Sequence, residues 1–182
     1  MIHNKYLKKF YFIDNFDKDH IKSLNSNISI IYRNYSENYN QEKILEIKKF
    51  CKNIRKNFYL ANDVSLTNKL NLDGAYIPAF NTDLSVYKLK NKNMLLLGSA
   101  HTLKEINQKK NQGIDIIFLT PTFQVTKSNK FLGVTRFNTF SNLLNGKTIA
   151  LGGINKNNIK KIKMLNCYGF ASISYIKEHS KF

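Results

Sequence analysis

The chain has 182 residues, of which 42% are hydrophobic and 13% aromatic, enough for one globular domain with a sizeable core. This composition excludes an intrinsically disordered protein, and no apolar run approaches the roughly 18 residues that a membrane span needs. The formal net charge is +17, yet the lysines are scattered, and abundant Lys, Asn and Ile together are typical of an AT-rich genome. We therefore expect no nucleic-acid partner, although the charge would attract phosphorylated metabolites.

Other features of the sequence predict a single cytoplasmic domain over residues 1–182. No Pro- or Ser-rich linker divides the chain, and its first residues lack the long apolar stretch and cleavage site of a signal peptide. Cys51 and Cys167 stand far apart, with no histidine nearby at ligand spacing. Both are expected to be buried or semi-buried thiols in a reducing compartment.

Eight short apolar runs, most of them separated by polar turns and segments with helical spacing, follow one another along the chain. Aromatic and β-branched residues dominate several of them, which is typical of buried strands. The runs are residues 9–14, 28–33, 58–63, 74–78, 93–99, 114–121, 148–153 and 169–174. Between them, residues 41–54 have the spacing of an amphipathic helix, a helix opens after His101-Thr102, and residues 155–166 also have helical spacing.

Consecutive strand–helix units require parallel strands, and eight of them predict a closed (β/α)8 TIM barrel. The alternative is an open doubly wound sheet, which usually has fewer strands. The chain is short for such a barrel, which typically has about 250 residues. Residues 82–92 are too poor in apolar positions for a full helix, and few residues follow the eighth run, so helices 4 and 8 are expected to be reduced.

In a barrel of this type the active site lies at the carboxyl ends of the strands. Small, polar and cationic residues stand at those ends, a set that suits a phosphorylated ligand. They include Arg33, Asn62, Asp63, Asn81, Ser99, His101, Thr126, Lys127, Gly152, Gly153 and Ser174. Several have a plainer interpretation: a turn for the glycines, a helix cap for Asn62-Asp63, a cap or a core residue for His101, and a solvated lysine for Lys127.

The order of these motifs resembles the thiamine phosphate synthase/TenI family over about residues 9–178. "IIYRNY" stands where that family has Q-x-R-x-K, "LAND" resembles its N-D pair, and "DGAYIPAFN" resembles D-G-x-H-L-G-Q-x-D. "LLLGSAHTLKEI" is similar to G-x-S-x-H-[ST]-x-x-E, and "DIIFLTPTFQVTKS" to D-Y-x-x-x-G-P-x-F-x-T-x-T-K. "IALGGINKNNI" and "YGFASISYI" resemble A-I-G-G-I-x-x-x-N and G-x-A-V-x-S-x-I.

The resemblance implies a synthase that joins hydroxymethylpyrimidine pyrophosphate to thiazole phosphate in thiamine biosynthesis. Position by position, it places pyrimidine and pyrophosphate on Arg33, Asn62, Asp63, Thr126 and Lys127, with Ser99 near the leaving group. Asp63 and Asn81 would bind Mg2+, and Gly153 with the Ile173-Ser174 backbone would bind the thiazole phosphate. Gly152 and His101 are further candidates for substrate binding.

Several positions depart from the family pattern. Ile31 and Tyr35 replace the Gln and Lys that flank Arg33, and Tyr76 replaces a histidine. The second metal carboxylate is Asn81, although a shift of one residue would select Asp83. One carboxylate binds Mg2+ poorly unless substrate oxygens complete the shell.

These departures leave alternatives to a synthase open. The first is a TenI-like thiazole tautomerase, but Pro121 stands where some of those relatives carry an acid–base histidine. The second is a non-catalytic protein that binds thiazole phosphate. A basic RNA-associated protein is a more distant third.

Overall fold

Eight parallel strands close into a barrel in the computed structural model, which describes residues 7–35, 39–126 and 129–179. The strands are β1 (Lys8–Ile13), β2 (Ile28–Tyr32), β3 (Phe58–Ala61), β4 (Gly74–Ile77), β5 (Leu95–Ala100), β6 (Ile116–Leu119), β7 (Thr148–Leu151) and β8 (Gly169–Ala171). Each strand pairs with the next in sequence, and β8 pairs with β1. The predicted TIM barrel is therefore confirmed, and the open sheet is wrong.

The helices of this barrel are short. They are α1 (Lys18–Ser23), α2 (Gln41–Asn53), α3 (Val64–Lys69), α4 (Val86–Leu89), α5 (Leu103–Asn111), α6 (Gly133–Asn142) and α7 (Ser174–His179). The predicted amphipathic helix is α2, and it buries Ile44, Ile47 and Cys51. The fourth helix has four residues and the last has six, as the sequence predicts.

The helix expected over residues 155–166 is wrong. A 3-10 helix, Ile159–Met164, stands there instead, and its Met164 is 61% exposed. The asparagines before it satisfy backbone groups locally: Asn155 Oδ1 accepts from the amide of Asn157, and Asn158 Nδ2 donates to the Gly153 carbonyl. Such side-chain hydrogen bonds compete with α-helix formation, so the helix in this connection begins only at Ile159 and has the tighter 3-10 geometry.

The strand alternation separates an inner core from an outer core. Phe10 and Phe12 of β1 point into the barrel, where they pack with other inward-facing side chains, whereas Tyr11 joins the layer between strands and helices. Ile31, Tyr59, Tyr76 and Phe118 are among those inward-facing neighbours, and all four are buried. The barrel is thus filled with side chains, and a ligand has room only at its ends.

No helix in the described part of the chain is long and apolar enough to cross a membrane.

Candidate active site

The carboxyl ends of the eight strands all lie at one end of the barrel, here called the mouth. The parallel order fixes this arrangement, because each connection returns the chain to the opposite end. The predicted site residues therefore follow strands that open on the same surface. They divide into an amide side (Arg33, Asn62, Asp63 and Asn81, after β2, β3 and β4) and a glycine side (Gly152, Gly153, Ile173 and Ser174, after β7 and β8).

Three rings close the barrel interior beneath the mouth and form an aromatic floor (Phe12, Tyr76 and Phe118). Their ring centroids lie 5.1 Å apart for Phe12 and Tyr76, 5.5 Å for Tyr76 and Phe118, and 6.2 Å for Phe12 and Phe118. All three pairs meet edge to face, the arrangement that aromatic quadrupoles favour. The floor separates the mouth from the apolar interior and offers an apolar surface to any ligand above it.

Arg33 lies over this floor. Its guanidinium carbon is 5.0 Å from the centroid of the Phe12 ring, and the residue is otherwise exposed. Beside it, the Tyr76 hydroxyl forms a hydrogen bond with Ser99, and burial raises the pKa of Tyr76 although both Ser99 and the Arg33 charge lower it. The phenol is therefore neutral at physiological pH, while the arginine supplies a fixed positive charge at the mouth.

A cleft of about 430 Å3 connects Arg33 with the glycine side. Arg33, Phe12 and Ile173 line it, so two predicted site residues from opposite sides of the mouth share one space. Asp14, Asp17, His20 and Lys177 also line it. Lys177 brings a second cation to this cleft, next to the predicted phosphate-binding segment.

Hydrogen bonds bring Asn62 and Asn81 together on the amide side. Asn81 Nδ2 donates to Asn62 Oδ1 at 2.7 Å. The backbone of Asn62 is left-handed, with φ 62°, and its amide donates to the Tyr76 carbonyl at 2.8 Å. Asparagine tolerates this conformation better than most residues, which explains why it can stand at the sharp turn where β3 ends.

An exposed pair of rings borders the amide side. Tyr35, after β2, packs edge-on against Phe80, after β4, with ring centroids 5.6 Å apart. The two residues are 48% and 66% exposed. Tyr35 also lies close enough to Tyr76 and Arg33 for their charges to influence its pKa, which burial raises. Tyr35 therefore places an aromatic ring on this side of the mouth, at the position where the family pattern has a lysine.

The metal ligands predicted on the amide side have other roles. Asp63 caps α3, since its Oδ1 accepts from the amide of Leu66 at 2.8 Å. Asn81 Oδ1 accepts from the amide of Asp83 at 2.9 Å. Both carboxylate oxygens of Asp83 bind Ser85, so the alternative ligand is also engaged. Among the described residues, no cluster of three or more His, Cys, Asp or Glu side chains could hold a metal ion.

These donors fit Mg2+ only in part. Asp63, Asn62 and Asn81 supply carboxylate and amide oxygens, the hard donors that suit this ion, although both amide oxygens already accept hydrogen bonds. A single carboxylate with neutral amides supplies too few ligands for an octahedral shell. The residues present therefore fit a metal that arrives with phosphate oxygens rather than one held in advance.

Close backbone packing explains the two adjacent glycines on the other side of the mouth. Gly152 has φ 87° and Gly153 has φ 71°. A Cβ on Gly153 would lie 2.4 Å from the carbonyl oxygens of both Phe123 and Gln124, in the loop after β6. The glycines thus serve turn geometry and loop packing, the plainer of the two interpretations of this motif, and an anion-binding role stays a prediction.

Hydroxyl groups join the loops after β6, β7 and β8. Thr122 Oγ1 accepts from the Leu151 amide at 3.0 Å, and Ser172 Oγ donates to the Ile154 carbonyl at 3.1 Å and accepts from the Tyr175 amide at 3.2 Å. In contrast, no described acceptor takes a loop hydrogen bond from the amides of Ile173 and Ser174. These two N–H groups at the rim of β8 are available to an anion.

The other predicted residues have different environments. Ser99 is buried and bonded to Tyr76, one layer beneath the surface. His101 is exposed, and its backbone amide donates to Glu105 Oε2 at 2.5 Å, as part of the cap that Thr102 and Glu105 form for α5. Thr126 is exposed in the loop after β6. Lys127 lies outside the described residues.

Sequence reasoning missed the aromatic floor and the side chains that line the cleft beside Arg33. Phe12 and Phe118 each stand among consecutive buried residues, which give no sign of which side chains face inward. His20 Nε2 lies 2.9 Å from the hydroxyl of Tyr11, a partner nine residues away that spacing alone does not single out. The one usable signal was Tyr76, a polar aromatic residue in a position where the family pattern has histidine.

Known proteins resemble this chain in sequence and in fold. A sequence profile described as "Thiamine monophosphate synthase" matches residues 23–176. A "Thiamine-phosphate synthase" of Prochlorococcus marinus subsp. pastoris is 31% identical over 150 residues, which cover 78% of this chain and 42% of that protein. A protein of the same name from Pelagibacter ubique is 28% identical over 198 residues, covering 100% of this chain and 95% of its own length.

A solved structure, "Thiamine phosphate pyrophosphorylase" from Pyrococcus furiosus, superposes with a TM-score of 0.75 at 16% identity. The match covers 97% of this chain and 93% of that one. At this identity the superposition supports the barrel fold alone. The chain spans less than half the length of the Prochlorococcus relatives it matches.

Proposed function

Because the chain belongs to the thiamine monophosphate synthase family, we propose that it couples hydroxymethylpyrimidine pyrophosphate to thiazole phosphate and releases pyrophosphate. The family places the reaction in thiamine biosynthesis. The observation that carries the proposal is the position of Arg33, above an aromatic floor and in one cleft with Ile173. That arrangement offers a charge for one anion, an apolar surface for a ring, and a neighbouring site for a second substrate.

The proposed reaction has two steps. First, the bond between the pyrimidine methylene carbon and the pyrophosphate oxygen breaks, and its electron pair leaves with the pyrophosphate. The thiazole nitrogen then donates its lone pair to the resulting pyrimidine cation and forms the new C–N bond. Such a sequence requires that the charge on the leaving group is stabilised, that the cation is protected from water, and that the second substrate is held in position.

The amide side would bind the first substrate. Arg33 would hold pyrophosphate oxygens, helped by Asn62, by Thr126 in the loop after β6 and, as the family resemblance implies, by Lys127. Mg2+, if bound, would neutralise part of the leaving-group charge, with Asp63 and Asn81 as its protein ligands. The floor would lie against the pyrimidine, where its ring faces stabilise a nearby cation and exclude water. Ser99 would act through Tyr76, by fixing the ring of that floor residue.

The glycine side would bind the thiazole phosphate. The free amides of Ile173 and Ser174 would donate to the phosphate, with Gly153 in the neighbouring turn as a further predicted contact. Lys177 would add a charge-assisted contact from α7, where it lines the same cleft. The two substrates would then meet above Phe12, within the cleft that joins both sides of the mouth.

Purified protein tests the proposal directly. Incubation with both substrates and Mg2+ should release pyrophosphate and form thiamine phosphate, detected by a coupled pyrophosphatase assay and by chromatography. Omission of thiazole phosphate is the control, because hydrolysis of the first substrate alone would also release pyrophosphate. Absence of both products, with the protein folded, would reject the synthase.

A second candidate function is a non-catalytic protein that binds thiazole phosphate. The observation that favours it is the engagement of Asp63 and Asp83 in local hydrogen bonds, which leaves the amide side poor in free carboxylate. Calorimetry distinguishes the two candidates. Binding of thiazole phosphate without any product formation would favour the second.

A further inference from the structure

One lysine is completely buried next to the mouth. Lys109, on α5, has no exposed surface, and its Nζ donates to the carbonyls of Pro78 at 2.7 Å and Asn81 at 2.8 Å and to Gln112 Oε1 at 2.8 Å. Its three donors therefore have three acceptors, all of them neutral. Among the described residues, no carboxylate lies within 4.0 Å of this nitrogen.

Gln112 strengthens the same connection. This residue is also fully buried, and its Nε2 donates to the carbonyls of Asn81 at 3.1 Å and Asp83 at 2.8 Å. Two side chains from the end of α5 thus hold the backbone of residues 78–83, the loop that follows β4. That loop carries Asn81, whose side chain reaches Asn62 on the amide side.

The chain contains a second lysine of this kind at the other end of the barrel. Lys56 is 5% exposed and donates to the carbonyls of Leu24 at 3.0 Å and Asn25 at 2.5 Å, just before β2 begins. Burial of an ammonium group costs free energy, although neutral donors can also hold a backbone loop. Lys56 shows what a purely structural clamp looks like here, because it lies far from the mouth.

We propose that Lys109 is a positioning residue that fixes residues 78–83, so that Asn81 and Asn62 present their amides to the pyrophosphate end of the first substrate. The inference rests on the proposed function and names a further residue for that site. Lys109 acts through Asn81 and touches no substrate itself.

Steady-state kinetics of Lys109→Met test the proposal, with Lys56→Met as the matched control. The KM for the pyrimidine pyrophosphate should rise about tenfold, while the KM for thiazole phosphate changes less than about twofold, because only the amide side loses its support. Lys56→Met should leave both KM values within about twofold of the parent. Hydrogen exchange should quicken over residues 78–83 in the first variant and near Leu24 in the second.

A second variant guards against loss of folding. Gln112→Leu keeps the ammonium with its two backbone acceptors and removes the Gln112 donors and the third Lys109 acceptor, so it should shift the same KM in the same direction by a smaller factor. Equal increases in both KM values, an unchanged pyrimidine pyrophosphate KM, or the same effect in Lys56→Met would overturn the proposal.

The parent protein separates this inference from the proposed function. If it forms no product, the synthase fails, and hydrogen exchange then decides the inference with inorganic pyrophosphate and Mg2+ as the probe. Protection of residues 78–83 in the parent, lost in Lys109→Met, would support it. No protection in the parent would overturn it.

Discussion

The two sides of the mouth are built on different principles. On the amide side, side chains set the geometry: Asn81 binds Asn62, Asp63 caps α3, and Arg33 stacks on Phe12. On the glycine side, the backbone sets it, because Gly153 allows the loop after β6 to approach within contact of the loop after β7. A substitution on the first side should therefore change binding, whereas one on the second should change the fold as well.

The largest expected effect is the loss of stability after a substitution on the glycine side. Gly153→Ala places a methyl group 2.4 Å from two carbonyl oxygens and keeps an L residue at φ 71°, so the loop after β6 must move. We expect the free energy of unfolding to fall by about 3 kcal/mol in urea titrations. Thiazole phosphate affinity should fall in the same variant.

Gly133→Ala is its control. Gly133 has φ 66°, but the nearest atom to its added Cβ is 3.9 Å away, so only the backbone conformation is penalised. That penalty is about 1 kcal/mol. Equal losses in the two variants would show that close packing at Gly153 contributes nothing.

Arg33→Ala should break the amide side without unfolding the protein. The residue is exposed, so stability should hardly change, while loss of its charge from the leaving group should lower kcat/KM about 100-fold. Pyrophosphate release measures the effect. Arg136→Ala is the control, since Arg136 also lies over a ring, 5.4 Å from the centroid of Phe140 on the same helix. Comparable activity losses in both variants would refute the assignment.

Asn81→Asp should sharpen the contrast by adding a carboxylate to the amide side. Rotation of the Asn62 amide restores the hydrogen bond, and a second acidic ligand should lower the Mg2+ concentration for half-maximal activity about fivefold. Asn91→Asp is a matched control. Asn91 repeats the geometry away from the mouth, donating to Asn68 Oδ1 at 2.6 Å and accepting from the Asn93 amide at 3.0 Å. An unchanged Mg2+ requirement in Asn81→Asp would remove this residue from the metal site.

The smallest effect concerns the floor that both sides share. Tyr76→Phe removes the hydrogen bond with Ser99 and should lower the free energy of unfolding by about 1 kcal/mol. Because burial raises the pKa of Tyr76 above 10.0, its phenol should not ionise below that pH, and the pH–rate profiles of parent and variant should have the same shape from about pH 7 to 9. Tyr59→Phe, lower in the barrel, is the control. A basic limb present only in the parent would contradict this reasoning.

The strands were predictable because each is a short buried run between turns, and the run count alone indicated the barrel. The positions at the strand ends followed from the parallel order. The helix expected after β7 was not correct, since hydrogen bonds from Asn155 and Asn158 to nearby backbone outweigh the apolar spacing of Ile159 and Ile162. Local side-chain competition of this kind leaves little trace in a hydrophobic pattern.

The environment of single polar residues was not predictable. Lys109 looks in sequence like any other scattered lysine, and two of its three acceptors lie about 30 positions away in the chain. The choice between Asn81 and Asp83 as the second metal ligand depends on a turn in which Asp83 binds Ser85, and a sequence pattern cannot specify that turn. Gly153 owes its identity to Phe123 and Gln124, which contact it only after the barrel has closed.

Lys56 and Lys109 lie inside a protein whose other cations mostly face solvent. Dissolved salt screens charges at the surface within roughly 10 Å at about 0.1 M, but it reaches enclosed groups poorly. The loops that these two lysines hold should therefore keep their positions at ionic strengths that suppress the long-range attraction of the +17 charge. Added salt should therefore weaken the long-range attraction of an anionic ligand more than it changes the geometry of the bound site.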